Sequence, residues 1–247
     1  MKTVVSAAAA ILLAWSSLAA AETIQEDGVR VSVAGRMSPS RLPREKAVPV
    51  AISVAGHIVA TRAGALPKLD RISFAINSHG QLKLGKTPVC RLGRIDPSTT
   101  AEALAACRSS LVGEGRFTAD VKIPEQSPFP SEGKLLAFNG RLRGKPALLA
   151  HIYGTEPVPT SYVLPFAIKA SHGTYGTVLE ASLPRVTGEW GYVTGVKLDF
   201  QPRFLSASCP APHGFALAAF PLLRSSFSFD DGAALTSTLI RHCTVRG

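Results

Sequence analysis

The sequence has 247 residues, of which 27 are Lys or Arg and 17 are Asp or Glu, so its formal net charge is +10. This length suits one large all-β domain or two smaller domains. The positive charges are spread along the chain and are not interleaved with aromatic side chains, which argues against nucleic-acid binding and leaves an anionic polymer or carbohydrate as the expected partner.

The first 21 residues have the pattern of an export signal. Lys2 provides a positive start, an apolar run extends from Val4 to Trp15, and Ala19 and Ala21 occupy the small-residue positions of a cleavage site. The apolar run is shorter than the roughly 20 residues that a membrane-spanning helix needs. We therefore expect cleavage after Ala21, a secreted or envelope-associated mature chain of residues 22–247, and no membrane span.

Alternation of apolar and polar residues with period two predicts strands along most of the mature chain. In the first half the alternating segments are residues 29–33, 48–54, 72–76 and 117–123. In the second half they are residues 162–168, 175–183 and 196–200. Residues 148–153 are apolar on both faces, which predicts a central strand buried between two layers.

Turns that contain glycine predict two hairpins. One turn, 78–80, follows the strand at 72–77, and the other, 230–232, precedes the strand at 235–243. Frequent Pro and Gly between short strands favour an antiparallel, jelly-roll-like β-sandwich, with an up-and-down barrel as the alternative. Residues 124–133 are typical of a loop, so we expect one domain with a possible two-lobe split there.

One short helix is predicted near residues 97–109. Asp96 followed by Pro97 is a favourable helix start, and Thr99 with Glu102 forms an alternative capping box. Apolar side chains at spacings of three and four share one face of this helix: Leu104, Cys107 and Leu111. We therefore expect the sulfur of this cysteine to point toward the core.

Four cysteines follow the export signal, and an even number in an oxidising compartment predicts disulfides. The pairings that close the shortest loops are Cys90 with Cys107 and Cys209 with Cys243. A zinc site is not predicted, because neither C-x-x-C nor C-x-x-H spacing occurs.

No motif in the sequence indicates a reaction. The G-x-S-x-G and H-E-x-x-H patterns are absent, and no two histidines lie within four residues of each other. His151 lies in the most apolar predicted strand and is interpreted as a core histidine with one hydrogen-bond partner. We therefore expect no cofactor and no metal, and we favour binding over catalysis.

Two carboxylates support an alternative, a secreted glycosidase-like hydrolase. Glu180 and Asp199 each lie on the polar face of a predicted strand, and the pair lines one surface if the two strands are neighbours. A further alternative is a barrel whose apolar lumen carries a lipid.

Aromatic and basic residues define the candidate ligand-binding site. Trp190 and Tyr192 lie among glycines, which is typical of a loop where a flat ring can stack on a sugar. Positive charge is supplied by Arg141, Arg143 and Lys145. Two further groups of cations occur in the sequence. The first is Arg36, Arg41, Arg44 and Lys46, and the second is Lys83, Lys86, Arg91 and Arg94. The leading hypothesis is an exported, disulfide-stabilised β-rich protein that binds an anionic or carbohydrate ligand.

Overall fold

The computed structural model describes residues 21–62, 66–122, 125, 127–156, 159–183 and 191–246. Trp190 and the predicted export signal, except its last residue, lie outside the described residues. The strands are β1 (Glu22–Glu26), β2 (Val29–Ser38), β3 (Arg41–Leu42), β4 (Val48–Pro49), β5 (Ala51–Ala60), β6 (Leu69–Asn77), β7 (Gly80–Leu82), β8 (Leu111–Val121), β9 (Phe129–Leu142), β10 (Lys145–Gly154), β11 (Thr160–Ala170), β12 (Tyr175–Ser182), β13 (Gly191–Phe200), β14 (Leu205–Ala207), β15 (Leu217–Phe229) and β16 (Ala234–Val245). The helix is α1 (Thr100–Cys107).

Most of the described strands form one large sheet, in the order β1-β2-β5-β13-β8-β9-β10-β11-β12-β6-β15-β16-β3. The sheet curls into a half-barrel, so that β1 and β2 near one edge lie against β16 near the other. A second, three-stranded sheet has the order β4-β14-β7. The all-β prediction is thus confirmed, and the arrangement is consistent with either the sandwich or the barrel form of that prediction.

The predicted loop at residues 124–133 overlaps the beginning of β9. This strand pairs antiparallel with β8, from Val121 opposite Phe129 to Leu111 opposite Phe138. Strands from both sides of the segment therefore belong to one sheet. The two-lobe split stays a prediction.

One face of the large sheet points into the curl and carries three buried apolar clusters, one of which includes Met37, Leu205 and Leu239. Near the meeting edges the cluster contains Val29, Val31, Val33, Phe227, Phe229 and Leu235. Toward the small sheet, side chains from distant strands meet: Val112, Ala137, Leu148, Leu179 and Phe204. These clusters occupy space that a carried lipid needs, which argues against the lipid-carrying alternative.

Strand β10 is buried on both faces, as predicted for residues 148–153. Leu148 belongs to the cluster inside the curl, whereas Leu149 belongs to a cluster on the outer face together with Ala103 and Cys107. Helix α1 therefore covers the outer face of the sheet around β10, and its apolar face points inward as expected.

The helix begins later than Asp96 and Pro97 predict. Its N-cap is Thr99, whose Oγ1 accepts a hydrogen bond from the Glu102 backbone N–H at 3.2 Å, while the Glu102 carboxylate accepts one from the Thr99 N–H at 2.8 Å. The alternative capping box is therefore the correct prediction. It succeeds because it satisfies two backbone donors that have no partner within the helix.

Both predicted disulfides are confirmed. The Cα atoms are 5.5 Å apart in Cys90–Cys107 and 5.7 Å apart in Cys209–Cys243. The first bridge attaches a segment that runs from the small sheet around the end of β9 to α1. The second attaches the segment between β14 and β15 to the end of β16.

One predicted hairpin is confirmed and the other is wrong. Strands β15 and β16 pair across the turn at 230–232, where Gly232 has a φ of +90°. Strand β7, by contrast, pairs with β14 rather than with β6. Both edges of β6 are already occupied, by β12 and β15, so the chain after residue 78 leaves the large sheet.

Candidate functional site

A basic cleft lies where the chain leaves β7. It has a volume of about 630 Å³ and is lined by Lys83, Gly85, Lys86, Thr87, Pro88, Ser109, Arg203 and Phe204. Pairing of β7 with β14 brings its two walls together, and the Lys83 backbone N–H donates to the Phe204 carbonyl at 2.8 Å. The Arg203 guanidinium lies over the Phe204 ring, 4.5 Å from its centroid. The Phe204 ring thus stabilises the positive charge of Arg203 through a cation–π contact.

A second hollow continues from this cleft along the same segment. It has a volume of about 430 Å³ and is lined by Val89, Cys90, Arg91, Leu92 and Arg141. Cys90 forms a parallel bridge with Gly140 of β9, and its N–H donates to the Asn139 carbonyl at 2.8 Å. This contact brings together two groups of cations that are about fifty residues apart in the sequence.

Asn139 fixes the 84–88 loop, which forms part of the cleft lining. Its side chain is buried, and its amide nitrogen lies 2.8 Å from the Thr87 carbonyl, 3.2 Å from the Pro88 carbonyl and 3.4 Å from the Leu84 carbonyl. These carbonyl contacts, together with the packing of Leu84 against the inner cluster, hold the 84–88 loop in one conformation.

No acidic residue described in the two linings neutralises the positive charges of the cleft and the hollow. Both linings lack Asp and Glu within the described ranges. The ion pairs among the described residues lie outside both linings: Arg71–Glu180, Lys169–Glu180 and Arg241–Glu22. All five lining cations are exposed: Lys83, Lys86, Arg91, Arg141 and Arg203. The surface therefore attracts anions.

Of the predicted ligand residues Arg141, Arg143 and Lys145, Arg141 lines the hollow. All three lie on the hairpin of β9 and β10, whose two-residue turn has positive φ angles at Arg143 (+49°) and Gly144 (+79°), as a type I′ turn requires. Arg141 donates from Nη1 to the Gly144 carbonyl at 2.8 Å. The hairpin is thus a rigid, exposed extension of the basic surface.

Tyr192 lies far from this hairpin. It is opposite Asp120 of β8, which is opposite Pro130 of β9. Arg141 lies eleven residues further along β9, a distance of roughly 36 Å along an extended strand. The described residues therefore do not bring Tyr192 and the basic hairpin into one patch. Burial raises the pKa of Tyr192, and the nearby Asp120 carboxylate raises it further.

The predicted pairing of Glu180 with Asp199 is wrong. Their strands, β12 and β13, are separated in the sheet by β8, β9, β10 and β11. Leu179 and Leu198, the preceding residues, belong to the inner cluster, so both carboxylates lie on the outer, convex face. Two carboxylates on a convex face cannot enclose a glycosidic bond from both sides, which removes the basis of the glycosidase-like alternative.

Each of the two carboxylates has a local role. Glu180 accepts a hydrogen bond from Lys169 Nζ at 2.7 Å and lies 3.5 Å from Arg71. The Lys169 contact lowers the pKa of Glu180, and the positive charge of Arg71 contributes to the same shift. Asp199 is exposed and lies two residues from Lys197 on the same strand face, which is typical of a solvated strand face.

His151 is a structural residue. Its side chain is fully buried, and Nε2 lies 3.0 Å from the Ser98 carbonyl and 3.2 Å from Ser98 Oγ. Burial lowers its pKa, and the contact with Ser98 and the charge of Asp96 only partly offset this. A neutral imidazole that donates from Nε2 therefore attaches the segment before α1 to β10. The described residues contain no group of three or more potential metal ligands.

Three residues of the cleft were missed by sequence reasoning: Thr87, Ser109 and Arg203. None belongs to a local motif, and Arg203 lies about 120 residues from Lys83 in the chain. The pairing of β7 with β14 brings Arg203 next to Lys83, and the fold places Ser109, from the turn after α1, in the same lining.

Comparison with known proteins assigns neither a family nor a function to the chain. No family model matches the chain, and no curated protein or solved structure matches it either. Among the described residues, no helix has the length and apolar character needed to cross a bilayer. The functional conclusion therefore depends on the geometry and charge of the site itself.

Proposed function

We propose that this chain is a non-catalytic binding protein that holds an anionic polymer on its basic face, defined as the cleft, the adjoining hollow and the 141–145 hairpin. The observation that carries the proposal is the set of five exposed cations in the two linings, neither of which contains an acidic residue within the described part of the chain. Such a set of cations releases counterions when a polyanion binds, which favours association.

The shape of the basic face favours a polymer over a single small anion. The cations belong to two adjacent hollows and a hairpin rather than to one closed pocket, so no position surrounds an isolated ion. A chain with repeated charges can contact several of these positions at once, and linked contacts strengthen one another. The hydroxyls of Thr87 and Ser109 add polar contacts of the kind that an acidic polysaccharide accepts.

Catalysis finds little support at this face. The lining residues include neither a His nor a carboxylate, so the cleft has no group suited to accept a proton at neutral pH. Carbohydrate stacking on Trp190 and Tyr192 stays a separate prediction.

The test is calorimetric titration of the whole chain with inorganic polyphosphate, polygalacturonate and neutral dextran. We expect both polyanions to bind, dextran to be inactive, and affinity to fall steeply as salt rises from about 50 mM to about 200 mM. The double variants Lys83→Gln with Lys86→Gln and Arg91→Gln with Arg141→Gln should each weaken polyanion binding at least tenfold at the lower salt concentration.

A matched control removes the same charge elsewhere. Arg116 and Lys197 lie opposite each other on the outer face of β8 and β13, both exposed. The double variant Arg116→Gln with Lys197→Gln should change the affinity less than twofold. Equal losses in control and test variants would show that binding follows net charge alone and would overturn the assignment of the site.

A further inference from the structure

A second surface of the molecule carries large exposed apolar side chains. Phe215 is 64% exposed, Leu217 56% and Ile240 48%. Leu217 begins β15 and Ile240 lies on the neighbouring strand β16, opposite Pro221. We call this group the apolar patch. Single exposed apolar residues are common on protein surfaces, whereas a cluster of large ones marks an interaction site.

The apolar patch is presented by a fixed loop. Arg44 donates hydrogen bonds from its guanidinium to the carbonyls of Ala211, Pro212 and Phe215, the last at 3.1 Å. The Val245 N–H donates to the Ala216 carbonyl at 2.8 Å. The Cys209–Cys243 disulfide anchors the beginning of the same loop. Phe215 is therefore held outward, and little conformational entropy remains to be lost when it binds.

Cations border the apolar patch. Leu217 is opposite Thr244, which is opposite Arg41 of β3, so the three residues form one row across adjacent strands. Arg41 is therefore roughly 10 Å from Leu217 at the usual strand spacing. Arg246 lies two residues beyond Thr244, and both arginines are exposed. Nearby in the sequence, the charge of Glu45 is offset by that of Lys46.

This combination decides between possible occupants. The same patch of a second copy offers apolar side chains but, among Phe215, Leu217 and Ile240, no negative charge to meet these arginines. An anionic bilayer surface accepts both features, because apolar side chains enter the interface while cations contact the headgroups. We propose that the apolar patch docks the protein on an anionic lipid surface.

This docking surface is separate from the 141–145 hairpin of the basic face. In the large sheet, β9 and β10 are separated from β15 and β16 by β11, β12 and β6. The hairpin and the apolar patch therefore lie on different parts of the large sheet. The inference does not depend on the proposed polymer binding.

Sedimentation with vesicles tests the proposal. The whole chain is mixed with vesicles of phosphatidylcholine alone or with about 30% phosphatidylglycerol, at about 0.1 M salt. We expect binding only to the anionic vesicles. Phe215→Ser with Leu217→Ser should lower the partition coefficient at least tenfold, and Arg41→Gln with Arg246→Gln should lower it about fivefold for each charge removed.

Matched variants distinguish the apolar patch from other exposed apolar residues and from the basic face. Val59→Ser changes an apolar side chain that is 40% exposed on β5 and should leave vesicle binding within twofold. The polyanion-site variant Arg91→Gln with Arg141→Gln should likewise retain vesicle binding, while the patch variants should retain polyphosphate binding. Thermal unfolding confirms that every variant is folded.

Three results would overturn the inference. The first is failure of the chain to sediment with anionic vesicles, which leaves an acidic protein as the occupant to be sought. The second is loss of vesicle binding with Arg91 and Arg141 instead of with the patch. The third is a dimer in sedimentation equilibrium that Phe215→Ser with Leu217→Ser dissociates, which identifies a second copy as the occupant.

Discussion

Two irregular segments, each attached by a disulfide, are fixed to the sheet in different ways. The segment that contains Cys90 and α1 is held by burial, since Ile95 and Ala103 are fully buried in the cluster on the outer face of β10. The segment that contains Cys209 is buried at its beginning, where Cys209 and Ala211 pack in a core cluster with Leu239, and beyond Ala211 it is held by the bonds from Arg44 to three carbonyls. Burial therefore extends through α1 in the first segment but ends at Ala211 in the second, where carbonyl contacts take over.

This difference determines what each segment exposes. The first segment uses its apolar residues against the sheet, so cations such as Lys86 and Arg91 remain on its surface. The second is ordered largely without its own large apolar side chain, so Phe215 remains exposed. One segment therefore presents charge to a polymer, and the other presents an apolar patch.

The largest expected effect comes from removing the disulfide of the second segment. Cys209→Ser with Cys243→Ser should lower the free energy of unfolding by about 4 kcal/mol, because the bridge closes the longer loop and restricts the unfolded chain more. Cys90→Ser with Cys107→Ser should cost about 3 kcal/mol. Urea denaturation of both variants measures the difference, and a larger loss for the shorter loop would contradict this ranking.

Truncating a buried contact of the first segment tests whether burial holds it. Leu149 is fully buried beneath α1, so Leu149→Ala should lower the free energy of unfolding by about 3 kcal/mol. Leu217→Ala provides the matched control at the start of β15, directly after the second segment, where the leucine is exposed and the expected change is within about 0.5 kcal/mol. Similar losses for the two variants in urea denaturation would show that the segments do not differ in this respect.

Asn139 connects the stability of the first segment to ligand binding. Asn139→Ala removes the contacts with three carbonyls and should cost about 2 kcal/mol, as expected when buried acceptors lose their donor. Because the 84–88 loop forms one wall of the cleft, polyphosphate affinity should fall although no charge is removed. Unchanged affinity in a destabilised variant would show that the loop keeps its conformation without this side chain.

The smallest expected effect concerns His151 and the pH dependence of the free energy of unfolding. Burial lowers its pKa below the ordinary 6.5, so the unfolded chain takes up the proton first as the pH falls. Its contribution to stability is therefore complete above pH 6.5 and is lost as the pH falls toward the lowered pKa.

His151→Gln keeps an N–H near the Ser98 carbonyl but does not titrate. The free energy of unfolding, measured in urea at about pH 7.5 and about pH 5.5, should therefore fall less in this variant than in the unmodified chain. An equal fall in both proteins would assign the pH dependence to other groups.

Local sequence patterns are sufficient to predict several parts of the fold. Alternation identifies most of the strands, and residues 148–153 are correctly predicted to be buried on both faces because both faces are apolar. The Thr99 and Glu102 box marks the true start of the helix, since its hydrogen bonds are made within four residues. These features depend on neighbours in the chain, so the sequence contains their cause.

Predictions fail where partners are distant in the chain. The short turn between β6 and β7 predicts that these strands pair, but the edges of β6 are taken by β12 and β15. Glu180 and Asp199 lie on strands that are close in the sequence, whereas strand order separates them. Arg203 carries no local signal, because its importance depends on the pairing of β14 with β7.

The sequence by itself determined the all-β class, the excess of positive charge and the two disulfide pairings, because composition, alternation and loop length are properties of the chain. Only the tertiary structure decided where the charges meet. The contact of Cys90 with Gly140 joins two cation groups into one face, while the row of Leu217, Thr244 and Arg41 places apolar residues beside other cations. Strand order in a curled sheet depends on every pairing at once, so no short segment specifies it.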